Sequence, residues 1–445
     1  MNPGEDPAER SDRPAQTEAE AQPARAEGVW EIAFSRDNLE RALQRVERNR
    51  GAAGVDGMPV TELRGWLNGN WQRVLAELEA GRYRPSPVRR VTIPKPDGGQ
   101  RELGVPTVLD RLIQQAIAQA LVPIFDPHFS EHSYGFRPGR GAHQAVTAAR
   151  VFVETGHEWV VDVDLERFFD RVQHDALMAR VARKVADKRV LRLIRRYVEA
   201  GVMVDGVKQP TEEGTPQGSP LSPLLSNIML DDLDRELESR GHRFVRYADD
   251  LRIHVKSERA GQRVLEKVTG FIEKRLKLKV NKGKSSIRHA AQAVVLGFGF
   301  LFTKDGRIQI RVSEKARQRL RQRLRLLTGR ERRVPMSDII RAANRFIAGW
   351  TAYFGLAETE WFFRDHDGWL RRRLRQVRWA EWKAPATRRR NLLALGLTPR
   401  LAIPLGGARG SWRAALALNP ALPDAYWQEL GLIGLADRWT RLRGG

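Results

Sequence analysis

Apolar positions set the first expectations. From Phe34 to Val46 they recur at helical spacing, with Leu39, Leu43 and Val46 on one stripe, and ordered structure is expected from about Val29–Trp30. Asn49 to Gly57 is punctuated by glycines and predicts a turn. Arg89 to Ile93 predicts a short strand, followed by a tight hairpin loop at Pro94-Lys-Pro-Asp-Gly-Gly99. Leu109 to Ile124 predicts a buried helix that ends before Pro127. A strand from Trp159 to Val163 precedes a helix from about His174, another helix follows Pro223, and Phe244 to Val255 alternates as strand, turn and strand. Helices mixed with short antiparallel strands predict an α+β class. After about Arg311 the character changes. Glu314 to Arg333 carries Leu320, Leu324 and Leu327 on one stripe, and Trp369 to Lys383 carries Leu370, Leu374 and Val377. Both outer faces are dense in arginine, which predicts a separate α-helical domain.

Length and charge sharpen this picture. A chain of 445 residues exceeds what one core usually supports, so two or three domains are expected. Lys+Arg 77 against Asp+Glu 54 leaves a net charge of +23. Such an excess repels itself unless a polyanion neutralises it, and nucleic acid is the favoured partner over an anionic membrane or an acidic protein. With no cysteine, disulfides, thiolate zinc sites and cysteine nucleophiles are excluded, and a reducing interior is expected. The chain has no apolar run of about 20 residues, the length that a membrane span needs. Met1 to Glu27, rich in Ala, Glu, Pro and Arg without an apolar stretch, reads as a disordered tail and not as a signal peptide.

Two acidic constellations carry the chemistry. In Trp159-Val-Val-Asp-Val-Asp-Leu-Glu-Arg-Phe-Phe-Asp170, side chains repeat every second residue along the strand, which puts Asp162 and Asp164 on one face. In Phe244-Val-Arg-Tyr-Ala-Asp-Asp-Leu-Arg-Ile-His-Val255, Asp249 and Asp250 stand at a hairpin tip. An isolated Asp-Asp in a hairpin is ordinarily turn chemistry. Two or three carboxylates on rigid elements are also what a pair of magnesium ions about 4 Å apart needs for nucleotidyl transfer.

The surrounding blocks settle between these readings. Tyr247-Ala-Asp-Asp250 stands in order with Ile93-Pro-Lys-Pro-Asp-Gly-Gly-Gln-Arg101, Tyr134-Gly-Phe-Arg-Pro138, and Gly214-Thr-Pro-Gln-Gly-Ser-Pro-Leu-Ser-Pro223. Leu278-Lys-Val-Asn-Lys-Gly-Lys-Ser285 and Leu296-Gly-Phe-Gly-Phe300 complete the set. Together they resemble the bacterial group II intron reverse transcriptase/maturase family, from about Leu39 to the C-terminus. The resemblance implies a right-hand polymerase of fingers and palm, with an α-helical thumb/maturase domain. It divides the chain into a tail (1–28), an N-terminal extension with fingers (29–155), a palm with part of the fingers (156–310), a thumb (311–400) and a short DNA-binding segment (401–445). Trp350-Thr-Ala-Tyr-Phe354, Asp367-Gly-Trp-Leu-Arg-Arg-Arg-Leu374 and Trp379-Ala-Glu-Trp-Lys383 are the thumb blocks. Gly410-Ser-Trp-Arg413 through Leu430-Gly-Leu-Ile433 resembles the DNA-binding end.

The same resemblance assigns roles. Asp164 fits the first catalytic carboxylate, with Asp162 the alternative, a solvated strand residue. Asp249 fits the second metal ligand, Asp250 the third acid, and the Leu165 carbonyl a backbone ligand of the nucleotide-side metal. Two Mg2+ ions are implied, with Mn2+ as a substitute. Phe169 fits the aromatic that rejects a ribose 2′-hydroxyl, a role compatible with core packing, while Asp170 reads as a turn or cap acid. Lys95 and Arg101 fit the grip on the triphosphate, Gly218 the close backbone approach to the nucleotide, Gln217 a hydrogen bond near it, and Lys284 a further triphosphate contact. Tyr247 and Arg137 are assigned to primer and template.

The implied function is that of an RNA-directed DNA polymerase which copies intron RNA into DNA and assists splicing and mobility. Its partners would be the intron and template RNA, target or primer DNA and deoxynucleoside triphosphates, in the bacterial cytoplasm at the nucleoid and without a membrane. Many family members carry a cysteine-bearing endonuclease beyond this point, so second-strand cleavage is not expected here. Two other functions stay open: a domesticated reverse transcriptase of phage defence or spacer acquisition, and a splicing factor that binds RNA without polymerising.

Overall fold

The computed structural model describes residues 25–94, 99–204, 207–209, 218–329, 334–408 and 418–444. These form two compact units, and the chain passes between them more than once. One comprises residues 1–127, 174–212 and 218–221; the other comprises 128–173, 213–217 and 222–445.

The first unit is built on apolar stripes. Helix Arg36–Asn49 is capped by Ser35, whose side chain accepts from the Asn38 N–H. It turns Ala42, Leu43 and Val46 onto Val108, Leu112 and Ala116 of helix Val108–Phe125. That second helix is buried nearly all round, as its composition predicts. Its start is fixed by Asp110, whose carboxylate accepts from Thr107 Oγ1 (2.7 Å), Tyr83 Oη (2.8 Å) and the Ser86 N–H (3.1 Å). The expected hairpin is present as β1 (Val88–Pro94) and β2 (Gln100–Val105), with Ile93 opposite Arg101. Two further strands, β4 (Val202–Val204) and β5 (Val207–Gln209), complete a sheet ordered β2-β1-β4-β5. Ala26, ahead of Val29–Trp30, already pairs with Val185, donating to the Lys184 carbonyl at 2.8 Å.

The second unit holds a four-stranded sheet ordered β6-β7-β3-β8, made of β3 (Trp159–Val163), β6 (Arg243–Tyr247), β7 (Asp250–Val255) and β8 (Ser286–His289). The hairpin β9 (Phe298–Phe302) and β10 (Ile308–Val312) stands beside it as a separate two-stranded ribbon. Helices Glu314–Leu327, Met336–Phe354 and Glu360–Glu381 follow.

Two groupings of these residues bear on the expected division. Residues 128–155 pack with the β3–β6–β7 sheet, whereas 174–212 join the first unit. The arginine-dense helices are not set apart from that sheet either. One continuous core runs from Val160 and Val245 through Phe298 and Ile310 to Leu320, Leu374, Trp427 and Leu435. The segment from 418 belongs to this core, with Trp427 and Leu435 fully buried. Asp367 caps its last helix, Leu435–Arg443, accepting from the Leu435 N–H at 2.7 Å and the Ala436 N–H at 2.9 Å. Burial raises the Asp367 carboxyl pKa, and those two N–H donors oppose the rise.

Candidate active site

β3 and β7 run antiparallel, with Asp162 opposite Arg252 and Val163 opposite Leu251. The paired residues end at Val163 and Leu251, and Asp164 and Asp250 are the next residues of the two segments beyond that last pair. Asp249 is the neighbouring residue in the β6–β7 turn, so the backbone brings the three predicted acids to one end of one sheet. Both strands are central in their pairing: β3 lies between β7 and β8. That gives the acids the rigid support that metal-ligand geometry needs.

The turn itself is held from below. Ala248 adopts φ 59°, a left-handed conformation that a side-chain-bearing residue takes only when its surroundings enforce it. Arg246, fully buried, enforces it. Its guanidinium donates to the Ala248 carbonyl at 2.9 Å, to Asn227 Oδ1 at 3.0 Å and to Ser133 Oγ at 2.8 Å. It also forms a two-pronged pair with Asp234 of helix Ser222–Ser239, at 2.7 and 2.5 Å. Burial raises the Asp234 pKa, and the Arg246 charge acts against this.

Tyr134-Gly-Phe-Arg-Pro138 braces the same turn from its side. The Tyr134 N–H donates to the Arg246 carbonyl at 2.8 Å, and the Asn227 amide donates to the Gly135 carbonyl at 2.9 Å. A Cβ on Gly135 would run into the Ala248 nitrogen and the Tyr247 backbone, so only glycine allows this approach. Arg137 in this block is buried and donates to the Ser130 and Ser133 carbonyls at 2.6 and 3.0 Å. Its guanidinium is thus engaged by the chain itself, which differs from an arm extended to primer or template. Phe136 is exposed instead, with its ring 6.1 Å from that of half-buried Tyr247.

Asp164 is fixed by the segment from Leu278 to Ser285. Its N–H donates to Ser285 Oγ at 3.1 Å, and its carbonyl accepts from the Asn281 N–H at 2.8 Å. Leu165 pairs with Val280 through an antiparallel bridge whose hydrogen bonds belong to the flanking residues, including Glu166 N–H to the Lys279 carbonyl at 2.8 Å. The Leu165 carbonyl therefore points away from that segment. Lys284 is exposed on the turn just before Ser285. Phe169, on the short helix Phe168–Arg171, is buried edge-on against Phe168 at 5.2 Å, so core packing is part of its role.

The remaining predicted nucleotide contacts fall in the other unit or beyond description. Gly218 takes φ 108°, and a Cβ there would stand 3.2 Å from the Gly104 carbonyl of β2. Arg101 occupies β2 opposite Ile93. Lys95 and Gln217 lie outside the described residues.

The donor set suits magnesium, because carboxylates and a backbone carbonyl are hard oxygen ligands. Their present arrangement is not a finished cage. Among the described residues, no three acidic or histidine side chains are grouped to hold a metal ion. Arg252 lies among these acids. It pairs with Asp162 at 3.0 Å and engages the carboxylate of Asp250. Burial raises the Asp162 pKa, with Arg252 opposing and Asp164 reinforcing the rise. Sequence reasoning found the acids and missed both Arg246 and Arg252. The available signal was an arginine within each of the two largely apolar strands that flank the acids.

Comparison with known proteins bears on the same residues. Residues 93–300 match the family described as reverse transcriptase (RNA-dependent DNA polymerase), and residues 317–396 match the group II intron maturase-specific domain. Protein YkfC of Escherichia coli (strain K12) is 35% identical over 287 residues, covering 56% of this chain and 74% of that protein. The group II intron-encoded protein LtrA of Lactococcus lactis subsp. cremoris is 29% identical over 367 residues, 67% of this chain and 60% of LtrA. An uncharacterized 91 kDa protein in a cob intron of Schizosaccharomyces pombe is 32% identical over 207 residues, 46% of this chain and 25% of that protein.

Proposed function

We propose, from the premise that this chain belongs to the group II intron reverse transcriptase/maturase family and is an RNA-directed DNA polymerase, that it copies intron RNA into DNA at Asp164, Asp249 and Asp250. Its arginine-dense helices bind the intron RNA and so assist splicing and mobility. The observation that supports this reading is the β3–β7 register, whose last pair, Val163 with Leu251, adjoins Asp164 and Asp250 beside a turn held by Arg246.

Asp164, Asp249 and the Leu165 carbonyl would hold two magnesium ions, with manganese able to replace them and Asp250 as the third acid. Bound there, the ions supply activation of a primer 3′-hydroxyl and neutralisation of charge on the departing pyrophosphate. The residues of the chain supply position. Phe169, already packed and therefore unable to yield, crowds the ribose 2′ position and selects deoxynucleotides. Lys95, Arg101 and Lys284 steady the triphosphate, where charge develops, Gly218 lets backbone approach the nucleotide, and Gln217 hydrogen-bonds near it. Tyr247 and exposed Phe136 face the primer end, and Arg137 supports them by holding the loop that carries Phe136.

The partners in this reading are intron and template RNA, primer or target DNA, and deoxynucleoside triphosphates. Its setting is the bacterial cytoplasm at the nucleoid. Among the described residues no helix is long and apolar enough to cross a membrane.

Primer extension on an RNA template with magnesium tests the proposal. The protein should produce cDNA, and Asp249→Ala should abolish synthesis while leaving RNA affinity within about twofold, because it removes a ligand and no phosphate-binding cation. If the folded protein makes no cDNA, it is an RNA-binding splicing factor. If RNA binding collapses along with synthesis, site and RNA surface are not separate.

A further inference from the structure

Arg252 occupies an unusual position for a guanidinium. It lies on β7 two residues after Asp250, so both side chains leave the same face of the sheet, and it stands directly across from Asp162 on β3. One terminal nitrogen of Arg252 serves both carboxylates, at 3.0 Å from Asp162 and in contact with Asp250. Its side chain is only 13% exposed, against 33% for Asp162 and 37% for Asp250. The guanidinium therefore sits beneath the acids. Its remaining hydrogen bonds go to backbone, from Nε to the Val294 carbonyl at 3.3 Å and from a terminal nitrogen to the Leu251 carbonyl at 3.4 Å.

A single cation that bridges two carboxylates does the electrostatic work of a metal ion. With three or four acids gathered at one end of the sheet, some positive charge must be present for the cluster to stay together, since like charges in a partly desolvated place repel strongly. Without a divalent ion, Arg252 supplies it. A cavity of about 210 Å³, lined in part by Asp162, Asp250, Arg252, Arg288, Val294 and Leu296, adjoins the guanidinium and gives it room to withdraw.

We propose that Arg252 is a built-in counter-ion of the acid cluster, which ties Asp250 to Asp162 in the metal-free protein and yields Asp250 when a divalent cation binds. Arg252 is a positioning residue in this scheme. It keeps the acids assembled before the cation arrives, and it sets how tightly the cation is held. This inference rests on the reading of Asp164 and Asp249 as metal ligands.

The test is Mn2+ binding to the full chain, followed by electron paramagnetic resonance without nucleic acid or nucleotide, so that turnover plays no part. Arg252→Met keeps bulk and removes the charge, and it should bind Mn2+ about tenfold more tightly than the unaltered protein. Arg252→Lys should stay near the unaltered value. Asp162→Asn, which leaves Arg252 less neutralised, should weaken Mn2+ binding although Asp162 is not a ligand. Arg252→Met that binds Mn2+ equally or more weakly overturns the proposal, and so does an unchanged affinity in Asp162→Asn if Arg252→Met does not fold. Asp249→Asn separates this failure from a deeper one. If it leaves Mn2+ binding intact, the ligand assignment itself is wrong; if it abolishes binding while the Arg252 and Asp162 variants behave like the unaltered protein, only the counter-ion role falls.

Discussion

At the scale of single residues, Arg246 shows how much of a catalytic turn can depend on a side chain that never meets substrate. Its charge is fully buried and matched by that of Asp234, with Ser133, Asn227 and the Ala248 carbonyl taking the other donors. Arg246→Met would leave Asp234 buried and uncompensated, a change that costs about 3–5 kcal/mol in comparable sites. Urea denaturation should show this loss; a variant within about 0.5 kcal/mol of the unaltered protein would mean that the pair contributes little. His254 makes a second residue-scale prediction. Burial against Phe152 depresses its pKa from 6.5 to about 4. The folded state therefore resists protonation that the unfolded chain accepts, so stability is full above pH 6.5 and declines as pH falls toward 4. Between pH 7 and pH 5 the unaltered protein should lose about 2 kcal/mol more than His254→Leu, measured by denaturation at each pH. Asp249 and Asp250 stood out in the sequence because of the ordered blocks around them, since an Asp-Asp in a hairpin by itself is ordinarily turn chemistry. Arg246 and His254 did not, since their burial depends on partners such as Asp234 and Phe152, which no local pattern reveals.

At the scale of elements, glycine and strand register govern the site. Gly135→Ala would push a Cβ into the Ala248 nitrogen and displace the turn that carries Asp249. Primer extension should fall at least about tenfold, a barrier change near 1.4 kcal/mol, while RNA affinity stays. Retained synthesis in Gly135→Ala would show that the turn tolerates displacement. Most elements were readable in advance: β3 has the predicted bounds, and the hairpins at β1–β2 and β6–β7 follow the alternation of their residues. Helix Glu360–Glu381 begins nine residues before the predicted Trp369. Phe362, Phe363, His366, Leu370 and Leu374 form its inward stripe, but the mixture of aromatics, acids and a glycine at Gly368 obscures the period. Helix Glu314–Leu327 is capped by Ser313, whose side chain accepts from the Ala316 N–H.

For the whole molecule, the net charge of +23 finds a concentrated expression around Trp369. The guanidinium carbons of Arg321, Arg325 and Arg373 lie 5.7, 5.9 and 5.6 Å from its ring. Arg373 is anchored to the Thr328 side chain and carbonyl at 2.7 and 3.1 Å, and Arg321 is held by His366 Nε2 at 3.2 Å and by Asp365 at 3.5 Å. RNA affinity should fall steeply with added salt through counterion release, and Arg321→Ala combined with Arg325→Ala should reduce the log–log slope by about 2. A flat salt response, or an unchanged slope in the double variant, would place RNA elsewhere. The family and its fold were legible from ordered blocks spread along the chain. The joining of the sheet and the arginine-dense helices through one core was not, because it rests on contacts between residues far apart in the chain, such as His143 with the Tyr353 carbonyl and Arg150 with Glu358. The central claim concerns the acids at the end of β3 and β7. Anomalous diffraction from crystals grown with Mn2+, an RNA template, a DNA primer and an unreactive nucleotide tests it most directly. Two peaks about 4 Å apart, flanked by Asp164 and Asp249, are predicted. Ordered primer and nucleotide at that end of the sheet, with no peak between these two carboxylates, would contradict it.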